Sequence, residues 1–369
     1  MLNRKQFYDL LMFSTKRENN LFNRDCFPID LIREISDFHD PEADTLVQLI
    51  ADGNKDAAKK MLEANPRLVL QAANVTTMGG LTLKRVTPYE CALIGDPDMA
   101  LMVGEYFEKI ELKDNSIKKE DFVNECKKLR EEQFKRYEAA IDNMLNVKPY
   151  DIKALIDIIK RSSKADITEE LATDTTANKY NPDYKSELRT ALEAFRKAFA
   201  PRELKTPEAQ IKYIGFIYAT LFQVFELLNK EWDALSHNGA DYYKNRLVWR
   251  QLLFPERRLP AVDRQAFAQD VDTIKNLHEM KRSFHYEHDS QNEFPRTLVD
   301  DSRAGLGFDF AISIYGRARG RGARGRTGFQ KLCRAKASGF SEVKQQLQHS
   351  TAQHEVNRDT HKSHSCMIV

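Results

Sequence analysis

Apolar residues recur at three- and four-residue spacing along most of the chain, the period of helices with one buried face. Between residues 43 and 110 this pattern forms two related helix pairs. In the first, Leu46, Val47, Leu49 and Ile50 lead into Gly53-Asn54, and a second amphipathic helix follows from Asp56 to Leu62. In the second, Thr87-Pro88 opens a short apolar helix, Gly95-Asp96 forms the turn, and Asp98 to Phe107 gives the return helix. A glycine at the end of each first helix predicts a left-handed cap. Between the pairs, Gly79-Gly80 and the alternation from Leu81 to Val86 predict an extended finger or short hairpin. Further helices are predicted over 118–145, 150–163, 184–199, 207–232, 241–253 and 263–283, with 164–183 a loop by composition.

The fold class expected is mainly α. Residues 1–42 form a helical lead-in, 43–110 the ankyrin-like helix pairs and 111–300 a helical domain. An irregular basic Gly/Arg-rich segment takes 301–340, in which Phe308–Tyr315 reads as a buried strand or anchoring segment. A flexible tail takes 341–369, with room for one short helix at 341–348.

Composition agrees with this order. The chain has 369 residues, 41% hydrophobic and 30% charged, with only 15 Gly and 12 Pro, which is the balance of a soluble helical protein. The most apolar stretch, Ile211–Leu228, contains Lys212, Gln223 and Glu226 and reads as a buried helix. The apolar run near the N-terminus is interrupted by Asp9, so no signal peptide is expected. The five cysteines are scattered without a C-x-x-C pair, which signals neither a disulfide framework nor a zinc site and fits a reducing compartment. Net charge is +2, yet eight basic residues and no acidic one lie between Arg317 and Lys336.

Four local motifs carry candidate chemistry. Cys366-Met367-Ile368-Val369 fits the C-a-a-X pattern, in which the thiolate takes an isoprenoid from a prenyltransferase. One isoprenoid anchors weakly. Arg317, Arg319, Arg321, Arg324 and Arg326 offer a second signal, attraction to an anionic membrane surface. The same tract also resembles an RNA-binding Arg/Gly segment, but only Tyr315 and Phe329 flank it as bases' stacking partners. Phe27-Pro28-Ile29-Asp30-Leu31-Ile32-Arg33-Glu34-Ile35 has the opening of an F-box, with Pro28, Leu31 and Ile35 facing the ubiquitin-ligase adaptor Skp1; the competing reading is a helix packed on the ankyrin-like pairs. Thr87-Pro88-Tyr89-Glu90-Cys91-Ala92 has the shape of the ankyrin T-P-L-H-x-A turn, with Tyr89 and Glu90 departing from it.

No P-loop, G-x-S-x-G or HExxH is present. His285 and His288 with their neighbouring carboxylates read as a polar loop. No cofactor, metal or catalytic residue is therefore assigned, and an adaptor or scaffold is preferred to an enzyme. The alternatives are an enzyme with an unrecognised active site in the 111–300 helical domain, or an RNA-binding protein.

With these blocks located, the chain resembles the ankyrin-type secreted effectors of intracellular bacteria, the Legionella and Coxiella kind. The resemblance rests on Ala51-Asp52-Gly53-Asn54, Thr87–Leu93, Arg282-Ser283-Phe284, Phe294–Leu298 and Gly305–Ala311. It implies secretion into a host cell and residence in the host cytosol or on the cytoplasmic face of host membranes. Host proteins would be the partners, Skp1 among them, with lipidation by a host prenyltransferase.

Overall fold

The computed structural model describes residues 41–110 apart from 78, 119–171, 181–231 apart from 182, 235, 244, 247–268 and 321–365. Among the described residues 76% are helical, in 11 α-helices with few strands. The fold is mainly α.

The first helix pair is α1 (Pro41–Ala51) and α2 (Lys55–Ala64). Gly53 turns between them with φ 74°, the left-handed conformation that costs glycine least. The Asn54 side chain then accepts the Ala57 N–H and caps α2. The second pair is α3 (Pro88–Leu93) and α4 (Pro97–Gly104). Thr87 and Glu90 close a reciprocal capping box, each side chain accepting the other's backbone N–H, at 3.2 and 3.0 Å. Asp96 caps α4 through the Met99 N–H.

The departures from the ankyrin turn acquire reasons here. Glu90 serves the cap and also takes Arg136 at 2.6 Å. Tyr89 is buried edge-on against Phe107, ring centroids 5.6 Å apart. Gly95 differs from its expected role as a left-handed cap. It is glycine because Pro260 presses on it: a Cβ would come within 2.2 Å of the proline ring.

The hairpin between the pairs is β1 (Ala73–Thr76) with β2 (Leu81–Val86), antiparallel. Its burial alternates, so Val75, Leu81 and Leu83 face the core. A third strand that the periodicity does not reveal, β3 (Arg202–Leu204), joins β2 in parallel; three residues are too few to show a period.

The helical domain follows as α5 (Lys119–Asp142), α6 (Ile152–Arg161), α7 (Lys164–Leu171), α8 (Glu187–Ala198), α9 (Pro207–Lys230) and α10 (Ala261–Ala268). Helix α7 occupies ground expected to be loop. Ser163 and Asp166 bond each other's backbone N–H at 3.1 Å, which starts a helix in a polar stretch. A buried ionic group then fastens this side. Glu170 accepts Arg189 Nε at 2.7 Å and lies 3.9 Å from Arg196, whose Nε donates to Gln251 at 3.2 Å.

Helix α9 is long and apolar enough to cross a membrane by length and composition. Here Ile211, Ile214, Ile217, Leu221, Val224 and Leu228 are fully enclosed by the body instead.

The last helix, α11, runs from Arg321 to Ser365. This corrects the expectation of an irregular segment to residue 340 and a flexible tail beyond it. Gly322, Gly325, Gly328 and Gly339 give the sequence a linker's composition, each worth about 1 kcal/mol against helix. Tertiary packing overrides that cost: Phe329, Leu332, Lys336, Phe340, Val343 and Leu347 form one buried stripe at helical spacing. Gly339 lets α11 approach Pro97, which a Cβ would meet at 2.7 Å.

Candidate functional site

A buried polar junction sits where α11 meets α9 and α10. Phe329 comes first. It lies fully buried among Tyr218, Phe222, Phe225 and Phe267, with ring centroids 5.6 to 6.0 Å away. Two helical turns later the same stripe carries Lys336, 3% exposed. Its ammonium donates to Asp263 Oδ2 at 2.7 Å and to the Tyr218 hydroxyl, and the hydroxyl in turn donates to the same Oδ2. Tyr218 comes from the middle of α9 and Asp263 from the first turn of α10. One lysine thus joins three helices.

The electrostatics follow from enclosure. Burial pushes the Asp263 carboxyl above its ordinary range; the opposing pull of Lys336 and the Tyr218 hydroxyl does not cancel it, and Asp96 nearby adds to the rise. Burial also drives the Tyr218 phenol well up. The half-buried Cys333 thiol, one turn before Lys336, is pushed up to about 12, again by burial first, so it is a thiol at neutral pH. Asp263 Oδ1 is buried and accepts no hydrogen bond from the protein. Groups so enclosed fasten elements together: an ammonium that donates twice to its neighbours fixes both the rotation and the register of α11.

A small cavity of about 30 Å³ lies beside this junction, lined by Gly53, Cys91, Gly95, Asp96, Arg258 and Pro260 among others. That is room for about one water. No group of three or more His, Cys, Asp or Glu able to hold a metal is found among the described residues.

Protein-family models, curated proteins and solved structures were all compared with the chain, and none matches it.

The residues singled out in the sequence divide as follows. Pro28, Leu31 and Ile35 of the F-box-like helix, Cys366 of the C-a-a-X box, Arg317, Arg319, His285 and His288 lie outside the described residues. Phe308–Tyr315 does as well. Arg321 and Arg324 fall in the first turns of α11 rather than in a linker. Arg326 is half-buried, its guanidinium 5.8 Å from the Phe222 ring centroid. The structure therefore sorts the basic run. Lys336 is a structural key, Arg326 packs on an aromatic ring, and Lys331 and Arg334 are exposed.

Sequence reasoning missed Tyr218, Asp263 and Lys336 as a unit. Half the signal was available, because Lys336 holds a core position in the spacing Phe329, Leu332, Lys336, Phe340, Val343. A lysine in an apolar stripe asks for a buried anion. Which anion it meets depends on contacts 73 and 118 residues away, and those cannot be read from one sequence.

Proposed function

We propose that this chain is a membrane-tethered adaptor, an effector of the ankyrin type that works in a host cytosol and recruits host proteins. The observation that carries the reading is the rooted C-terminal helix. Helix α11 is fixed to the body through Phe329 and Lys336 and continues to Ser365, next to Cys366. A rigid helix leading to a lipid attachment point is what a tethered scaffold needs, because it gives the body a fixed relation to the membrane. The capped helix pairs, α1–α2 and α3–α4, supply the kind of stiff surface that solenoid proteins use for binding. In this reading Cys366 takes the isoprenoid, and Pro28, Leu31 and Ile35 engage Skp1.

The experiment is fractionation of eukaryotic cells expressing the chain or Cys366→Ser, with and without a prenyltransferase inhibitor. Ser cannot form the thioether, and an isoprenoid contributes about 0.8 kcal/mol for each CH₂ it buries. The variant should move to the soluble fraction, and the inhibitor should reproduce the move. An unchanged membrane fraction, or no isoprenoid mass on the peptide holding Cys366, contradicts the lipid. Skp1 recovered with the chain but not with Leu31→Ala/Ile35→Ala supports the recruitment step.

A further inference from the structure

We draw no further inference here: the strongest candidate, the cluster of Arg202 and Arg258 about the buried Tyr213 hydroxyl beside the Gly79-Gly80 tip of the hairpin, carries nothing, because Arg202 already donates to the carbonyls of Ala198 and Ala200 and Arg258 to that of Gly79, and the cavity that Arg258 lines has room for about one water rather than an anionic ligand.

Discussion

The two helix pairs and the C-terminal helix are held to the same body by different means. In the pairs the fixing groups are close in sequence: Asn54 caps α2, Thr87 and Glu90 close a capping box, and Asp96 caps α4. In α11 the first turns hold three glycines, and what holds it comes from far away, through Phe329 in an aromatic cage and Lys336 on Asp263 and Tyr218. Local caps are worth about 1 kcal/mol each and fail one at a time. A helix without local support stands or falls with its docking.

The largest effect should follow from opening the cage. Phe329→Ala removes a fully buried ring and should destabilise by about 3–5 kcal/mol. Urea unfolding measures it. A drop confined to α11 would show as early hydrogen exchange there, with α9 still protected.

Nearly as large is the loss of the key. Lys336→Met leaves Asp263 buried without its cation and should cost about 3–5 kcal/mol. Adding Asp263→Leu should return most of that, because a buried ion pair replaced by apolar side chains is often neutral or stabilising. The two changes must therefore be strongly non-additive in a double-mutant cycle. Additive losses would mean that the pair does not act as one unit.

A smaller effect concerns pH. The Asp263 carboxyl is raised above its ordinary 3.8, so the folded protein holds that proton more tightly than the unfolded chain does. Its contribution to stability is therefore present in acid and lost as pH rises through the raised value. Lys336→Met/Asp263→Asn should lack that component. Urea midpoints of the two proteins, taken from pH 4 upward, should diverge in the direction of a parent gaining toward acid. Asp166, held below its ordinary range chiefly by Ser163 and then by Tyr184, contributes in the opposite sense, with stability lost as pH falls.

The smallest change is Thr87→Ala, which removes the capping box and a 3.2 Å bond to Gln133. It should cost about 1–2 kcal/mol, with Thr87→Ser keeping most of the stability.

Legibility in the sequence follows the same division. The helix pairs, the finger between them and most helices of the middle region announce themselves through Gly53 and Pro88 and through apolar spacing, so their chemistry is local. Gly95 looked like a cap and proved to be a contact with Pro260, because a glycine's reason can lie 165 residues away. Residues 321–340 read as linker because glycine and arginine dominate, although the stripe from Phe329 to Leu347 was already at helical period. The Tyr218, Asp263 and Lys336 junction was half legible: the lysine's position could be read, but its partners could not.

The claim on which the rest depends is that α11 is an integral helix fixed by its distant contacts. Hydrogen exchange of the intact chain, read by mass spectrometry on peptides spanning 329–347, tests it directly. Protection comparable to that of α9, lost on Phe329→Ala or Lys336→Met, is the predicted result. Exchange of 329–347 at the rate of an unstructured peptide, unaffected by either substitution, would contradict it.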